Sequence, residues 1–186
     1  YLSAQTGNTN SIFVSPSGSD TNDGLTAALP LATIQRAVDF SAKFGPVLQG
    51  TWRVELAAGN HAAFTWPANL TSGNTRFTIR GPNAARDEPT VTIDGSLGGA
   101  VGMQFQTGAR VYVKDVKLEG FTGTGEYGML AEGWADVYLE NVWADGNYFN
   151  VAARAGAILR TRYGKFINAA YANAMGVDFA LMTLGY

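Results

Sequence analysis

Short runs of β-forming residues recur along most of the chain, with apolar side chains at every second position. Four of these runs are the clearest, at residues 52–56, 77–79, 91–93 and 111–113. Gly or Asn residues, which favour turns, separate the runs. Because alternate side chains of a strand point to opposite faces, each run predicts a short strand with one buried face.

One segment follows a helical pattern instead. Residues 33–44 place small or apolar side chains at positions i, i+3, i+4 and i+7, which form one face: Ile34, Ala37, Val38 and Ser41. Thr33 is the predicted N-cap, and the pair Gly45-Pro46 is predicted to end the helix. Before the helix, residues 12–14 predict a short strand and residues 1–11 a flexible lead-in.

A repeat relates the later strands to one another. Residues 102–116 align without a gap on residues 128–142, at an offset of 26. A third copy follows at an offset of 22, with Leu159 under Val137, and a fourth is predicted to begin at Gly176. A period of this length is typical of solenoids, in which each repeat forms one coil.

The predicted fold is an all-β, right-handed parallel β-helix with a short capping α-helix near its N-terminal end. The regular Leu frame of leucine-rich repeats is missing, whereas alternating apolar positions suit strands that stack coil upon coil. The helix is expected to cover the open end of the stack, where bare strand edges invite aggregation. We expect about six or seven coils in one domain, residues 12–186. The apolar segment 179–186 predicts a C-terminal truncation, because a finished stack carries a polar cap.

Composition narrows the classes of function. Hydrophobic residues make up 46% of the 186-residue chain and charged residues 15%, which excludes a disordered chain. A net charge of -2 without a block of Lys or Arg argues against a nucleic-acid partner. No apolar run approaches the length of a membrane span, and the lack of Cys excludes disulfides and thiolate metal sites.

Several motifs resemble the pectate-lyase-like family of parallel β-helix proteins. They are FVSPSGSDTNDGL at 13–25, PLATIQRAVD at 30–39, VELAAG at 54–59, FTIRG at 77–81 and VTIDG at 91–95. The first two resemble the N-terminal cap of that family, and the resemblance covers most of residues 12–160. Within the family, a cap followed by loosely repeated coils is most similar to phage tail and tailspike chains.

This resemblance implies a virion tailspike or tail-fibre module that recognises a host surface polysaccharide, in a virion tail or an extracellular location. The implied partners are the polysaccharide, other virion proteins and further copies of the chain in a homotrimer, with neither nucleic acid nor membrane. An enzyme, a polysaccharide lyase or glycoside hydrolase, is the first alternative, and a purely structural virion spacer or decoration protein is the second. These roles share a fold but not their sites. The family's catalytic Arg and calcium-binding Asp cluster have no residue-by-residue match here.

Two carboxylates occupy equivalent positions of successive coils. Glu119 and Asp145 each precede a Gly, and the spacing of about 4.8 Å between adjacent strands is expected to bring them close. Carboxylates at such a distance can act as nucleophile and acid in a retaining glycosidase, or bind calcium; apart from this ion, no cofactor is predicted. The alternative, which the turn-forming Glu-Gly and Asp-Gly pairs favour, is that both side chains point into water. The third copy has Ile167 at this position.

Aromatic side chains are the candidates for polysaccharide binding. Four stand in turns or at outward strand positions: Tyr112, Trp134, Tyr138 and Trp143. Tyr112 and Tyr138 are predicted to stack, and Trp143 falls between Lys117 and Lys165 in its own column. Exposed rings pack against the C–H faces of sugars, but they serve equally well in subunit interfaces or in plain packing.

Charged residues also fall into columns. Lys114, Glu140 and Arg162 are predicted to stack in successive coils, as are Glu132 and Arg154. Alternating charges on neighbouring strands stabilise their register, so we assign these columns a structural role.

Two further features are assigned to structure rather than to chemistry. The loop 20–24 has the acidic residues of a calcium loop but neither its spacing nor its distant Glu, so it predicts a rigid turn and no metal site. His61, the only histidine, has no acid or nucleophile near it in the sequence and is predicted to lie on the surface.

Overall fold

The computed structural model describes residues 9–44, 48, 50–68, 70–72, 77–82 and 87–185. In these residues, all-parallel sheets form a β-solenoid of about 5 turns with one short α-helix. The predicted parallel β-helix with a helix in its N-terminal part is therefore confirmed. Within the same ranges, no helix has the length and hydropathy needed to cross a membrane.

The strands are short and follow one another coil by coil. The first seven are β1 (Thr9–Val14), β2 (Thr51–Leu56), β3 (Gly59–His61), β4 (Phe64–Thr65), β5 (Phe77–Arg80), β6 (Val91–Asp94) and β7 (Val101–Phe105). They are followed by β8 (Arg110–Glu119), β9 (Tyr127–Ala131), β10 (Asp136–Asp145), β11 (Phe149–Ala153), β12 (Ile158–Arg162), β13 (Lys165–Ile167), β14 (Ala172–Gly176) and β15 (Leu181–Gly185). The helix α1 spans Ile34–Ala42, and a short 3-10 helix spans Gly95–Leu97. The four predicted strands are confirmed, because each lies within β2, β5, β6 or β8.

Two sheets run along the solenoid. The larger, sheet 1, follows the order β1-β2-β5-β8-β10-β12-β15, and the smaller, sheet 2, follows the order β4-β7-β9-β11-β14. Strand β8 bends, so that its first half pairs with β5 and its second half with β6. Asp115 in β8 and Asn141 in β10 take positive φ angles of 56° and 50°. Sheet 1 therefore has two faces, which meet at a corner along these residues.

Successive coils pair in register, and this stacks their apolar side chains into columns. Val111, Val137 and Leu159 form such a buried column in sheet 1, and Met129 lies beside Val151 in sheet 2. Partners in these coils are 26 or 22 residues apart, which confirms the predicted offsets. Full burial of one such side chain contributes about 1.5 to 3 kcal/mol, so the columns dominate the stability of the coils.

The last coil departs from the predicted repeat. The prediction that a fourth copy begins at Gly176 is wrong, because Gly176 pairs with Ala153 at the end of β14. The offset in this coil is 23 residues. Its inward positions hold Ala174 and Met182, which are only partly buried, so the apolar pattern is too weak to fix where the coil starts.

The solenoid has about 5 turns rather than six or seven. Sheet 2 begins only at β4, because between β1 and β2 the chain forms α1 in place of a sheet-2 strand. A number of coils estimated from the chain length and the repeat period counts this incomplete coil as a complete one.

The helix α1 covers the first coil. The side chain of Thr33 accepts a hydrogen bond from the backbone N–H of Arg36 at 3.1 Å, which confirms the predicted N-cap. The buried residues of the helix are those of the predicted face: Ile34, Ala37, Val38 and Ser41. They join the same hydrophobic cluster as Ile12 and Val14 of β1, so the helix closes the core at this end.

The loop 20–24 forms a turn that is held by hydrogen bonds from its acidic side chains. The carboxylate of Asp20 accepts hydrogen bonds from the backbone N–H groups of Ala32 and Thr33, at 2.9 and 3.0 Å, and from the Thr33 hydroxyl at 2.8 Å. Asp23 accepts another from the N–H of Leu25 at 2.9 Å. Asp20 thereby fixes the start of α1 relative to β1.

Some predictions concern residues at the edges of the described ranges. Strand β1 begins at Thr9, earlier than residue 12, where the sequence predicted it to begin. Residues 1–8 of the predicted lead-in, the helix-ending pair Gly45-Pro46 and the terminal Tyr186 lie outside the described residues.

His61 is buried, so the prediction that it lies on the surface is wrong. Only 2% of the residue is exposed, and it pairs with Ile93 of the next coil. Its Nε2 atom donates a hydrogen bond to the carbonyl of Ala57 at 2.9 Å, whereas the buried Nδ1 atom has no partner among the described residues. Burial lowers the pKa of His61, more than the hydrogen bond to Ala57 raises it.

Acid should destabilise the fold through His61. Because its pKa is lower in the folded chain, the unfolded chain takes up a proton that the folded chain excludes as the pH falls below about 6.5. We expect the free energy of unfolding in urea to fall by about 1 kcal/mol between pH 7.5 and 5.5, and by less in the variant His61→Gln. Both proteins have the same carboxylates, so the difference between their pH dependences isolates the contribution of His61. The same pH dependence in both proteins would contradict the burial of a neutral His61.

Candidate functional site

Two tyrosines stack on the outer surface of sheet 1. Tyr112 of β8 lies beside Tyr138 of β10, with ring centroids 4.9 Å apart and ring planes inclined by 36°. Both side chains are half-buried. Their column continues through Thr78 to Arg53 on one side and to Arg160 on the other. The predicted stacking of the two tyrosines is confirmed.

A column of charged residues runs beside the tyrosines. Its members in coil order are Glu55, Arg80, Lys114, Glu140 and Arg162. Arg80 donates two hydrogen bonds to Glu55, at 2.7 and 2.9 Å, and Lys114 donates one to Glu140 at 2.8 Å. The predicted order of Lys114, Glu140 and Arg162 is confirmed. Partly exposed pairs of this kind contribute at most about 1 kcal/mol each, but they hold the cations in place.

These two columns line an open groove with a volume of about 610 Å³. Its lining residues are Thr9, Thr51, Arg53, Thr78, Arg80, Tyr112, Lys114, Tyr138 and Glu140. We call it the sheet-1 groove. Within the described part of the chain, Arg53 forms neither an ion pair nor a hydrogen bond through its side chain. The groove thus combines a pair of aromatic rings with a free guanidinium group.

The face around the groove is cationic although the chain carries a net charge of -2. Among its described carboxylates, Glu55, Asp136 and Glu140 each contact a cation, and Asp115 at the corner accepts a hydrogen bond from Asn141. The cations are more numerous: Arg53, Arg80, Arg110, Lys114, Arg160 and Arg162. An anionic ligand would therefore meet a favourable potential on this face.

The corner of sheet 1 borders the groove. Asn141 donates a hydrogen bond to the carboxylate of Asp115 at 2.8 Å, and Trp143 donates one from Nε1 to Asn141 at 3.1 Å. Burial raises the pKa of Asp115, and this outweighs the opposite effects of Asn141 and of the neighbouring Lys114. In the following coil, Tyr163 also has a positive φ angle, of 56°.

Trp143 lies on the second face of sheet 1, beyond the corner. It pairs with Lys117 on one side and Lys165 on the other, and the Nζ atom of Lys165 is 4.5 Å from its ring centroid. The predicted column is confirmed. Both neighbours of Trp143 are lysines, and its indole N–H already donates a hydrogen bond to Asn141. Trp143 is therefore held by packing, and it does not line the sheet-1 groove.

Glu119 and Asp145 end β8 and β10, directly after the paired residues Leu118 and Ala144. Glu119 contacts Lys117 at 2.9 Å, and Asp145 accepts a hydrogen bond from Asn168 at 2.9 Å. Neither carboxylate lines the sheet-1 groove, and their catalytic role stays a prediction. In the described ranges, no group of three or more His, Cys, Asp or Glu residues is arranged to hold a metal ion.

Trp134 lies apart from the groove, in the turn between β9 and β10. It is 78% exposed and takes a φ of 68°. The neighbouring pair Glu132 and Arg154 forms the predicted ion pair, at 2.7 Å. The four predicted aromatic residues therefore occupy three different places, and only the two tyrosines form the groove.

An aromatic cluster on sheet 2 was not predicted from the sequence. Tyr127 stacks on Phe149 at 4.6 Å between centroids, and Tyr148 on Tyr171 at 5.7 Å. The 22-residue offset that relates Val151 to Met129 also relates Phe149 to Tyr127, so extending the alignment by two positions finds the first pair. The groove arginines Arg53 and Arg80 were missed as well.

Comparison with known proteins found no match among family models, curated proteins or solved structures. The assignment of the fold therefore rests on the strand pairing of the chain itself.

Replacing Asp115 should stabilise the protein at neutral pH. Because the folded state raises the pKa of Asp115, its charge is unfavourable there, and stability is lost as the pH rises above about 4. Asn is neutral, favours positive φ and retains the hydrogen-bond acceptor. We expect Asp115→Asn to gain about 0.5 kcal/mol at pH 7 in urea unfolding, and less at pH 4.

The matched control for this substitution is Asp145→Asn, at a half-buried carboxylate of the next coil that lacks a positive φ. It should change stability little at either pH. A loss of stability in Asp115→Asn at pH 7 would show that the charge of Asp115 is favourable, contrary to this account.

Proposed function

We propose that this chain is a virion tailspike or tail-fibre module that binds a host surface polysaccharide in the sheet-1 groove. The observation that carries this proposal is the stacked pair Tyr112 and Tyr138, half-buried in an open groove of about 610 Å³. The proposal includes the homotrimer, the other virion proteins and the virion-tail or extracellular location. The parallel solenoid with a helix-capped first coil supports it, because it agrees with the resemblance of the cap motifs to pectate-lyase-like tail proteins.

The tyrosine pair suits a sugar chain. An aromatic ring offers an apolar face on which the C–H groups of a pyranose can pack. The two rings lie in adjacent coils, 4.9 Å apart between centroids, so they present a continuous surface along the solenoid axis. Neighbouring polar side chains, Thr78 and Thr51 among them, line the same groove and can bond to sugar hydroxyls.

The charges of the groove favour a polysaccharide that carries acidic groups. Glu55 and Glu140 are occupied by Arg80 and Lys114, whereas Arg53 is free to pair with an anion. A guanidinium group binds a carboxylate through two parallel hydrogen bonds, which fixes the orientation of the ligand. Binding should consequently weaken as the salt concentration rises.

Removing either tyrosine should weaken polysaccharide binding about tenfold, the equivalent of one aromatic contact. The test measures the affinity of the purified protein for acidic capsular polysaccharides by isothermal titration calorimetry, with Tyr112→Ala and Tyr138→Ala. Arg53→Ala should weaken binding too, and should reduce its dependence on salt. Dextran serves as the neutral comparison.

Tyr171→Ala is the matched control, because Tyr171 is 68% exposed and belongs to the sheet-2 cluster. It should bind like the unchanged protein. Melting temperatures of all variants verify that they fold. Unchanged affinity in both groove variants, or an equal loss in the control, would refute the groove as the binding site.

A further inference from the structure

Four tight turns stack along one edge of the solenoid, where the chain passes from sheet 2 to sheet 1. Each is closed by a backbone hydrogen bond of 3.0 to 3.3 Å, donated by Ala109, Ala135, Ala157 or Ala180 to the residue three positions earlier. Their central pairs are Thr107-Gly108, Gly133-Trp134, Ala155-Gly156 and Asp178-Phe179. We call this edge the turn column.

Trp134 takes a backbone conformation that glycine takes in the neighbouring turns. Its φ is 68°, and the equivalent residues Gly108 and Gly156 have φ angles of 86° and 80°. A bulky side chain in this region costs about 1 to 2 kcal/mol, which glycine avoids. Burial does not offset the cost, because Trp134 is 78% exposed. The exposed indole therefore lies at a position whose backbone conformation favours glycine, as does the exposed Phe179 of the last turn, with a φ of 63°.

The indole ring is nevertheless held in place. A Cβ atom added to Gly156 would lie 3.2 Å from the ring atoms Cδ2 and Cε3 of Trp134, so the ring rests on the glycine backbone of the next coil. One part of the ring contacts the protein and the remainder is open to solvent. A ring that is fixed and exposed loses little entropy when a ligand packs on it.

A cavity of about 300 Å³ lies along the same turn column. It is lined by Ala68, Gln106, Thr107, Glu132, Gly133 and Ala155. Gly133 directly precedes Trp134, and Ala155 directly precedes Gly156, on which the indole rests. The indole of Trp134 does not itself line the cavity, but the cavity adjoins the backbone that carries the indole and the backbone on which it rests.

The polar groups of this cavity are uncharged or neutralised. Glu132 accepts hydrogen bonds from Gln104 at 2.9 Å and from Arg154 at 2.8 Å, so its carboxylate is already occupied. The side chains of Gln106 and Thr107 make no hydrogen bond with any described residue. They remain available to a ligand that offers hydroxyl groups and no charge.

We infer that the turn column around Trp134 is a second binding site, separate from the sheet-1 groove, and that it takes a neutral pyranose ring. The ring packs on the indole, and its hydroxyl groups bond to Gln106 and Thr107. Its ligand chemistry differs from that of the groove, where free positive charge favours an acidic sugar chain.

Fluorine NMR of the protein labelled with 5-fluorotryptophan tests this inference directly. Of the four Trp residues, Trp52 and Trp66 are buried and Trp143 is half-buried, so only Trp134 is widely exposed. The probes are methyl glycosides of glucose, galactose, mannose and N-acetylglucosamine, titrated to 100 mM. We expect at least one to shift the Trp134 resonance in a saturable manner, and 0.5 M NaCl to leave that shift unchanged.

Two variants complete the test. Trp134→Gly assigns the resonance and should fold, because Gly108 and Gly156 take the same turn position; its binding of acidic polysaccharide in the sheet-1 groove should persist. Gln106→Ala should retain the resonance but weaken the sugar affinity about fivefold. No saturable shift with any of the four glycosides would overturn the inference. A Trp134 shift that follows protein concentration rather than sugar would also overturn it, since the ring would then lie in a subunit interface.

Discussion

Hydrogen bonds between successive coils hold parallel strands in register, and the other features of the molecule depend on this pairing. Once Val111 lies beside Val137, and Val137 beside Leu159, the neighbouring positions must align as well. Inward positions then form apolar columns that exclude water, and outward positions form columns of like or complementary side chains. The pairing of Tyr112 with Tyr138, and that of Lys114 with Glu140, are consequences of the same register.

In the sheet-1 groove, the same side chains that stabilise the strand register also determine the charge of the surface. Charge pairs such as Glu55 with Arg80 stabilise the register, and they also leave no free carboxylate among the described residues of the groove. Arg53, which makes no ion pair with the described residues, and the aromatic pair would then determine which ligands the groove favours. At the corner, the strained Asp115 and Asn141 turn the strands away, so the groove is bounded on that side.

Much of this could be predicted from the sequence because the repeat is gap-free between the coils of β8 and β10. The offset aligned Tyr112 with Tyr138 and placed Trp143 between two lysines. The pairing of the first coils was not predicted, because their repeat length varies. Glu55 and Arg80 are 25 residues apart, whereas Arg80 and its next partner, Lys114, are farther apart in the sequence. Insertions outside the strands change the period without changing the pairing. His61 was misplaced for a related reason: the next coil buries it, and no local pattern shows this.

We propose that the tyrosine pair forms a sugar-binding groove, and a crystal structure of the protein soaked with an acidic oligosaccharide would test this directly. We expect density for pyranose rings across Tyr112 and Tyr138, with an acidic group beside Arg53. Density for the acidic oligosaccharide at another face, with an empty groove, would contradict it.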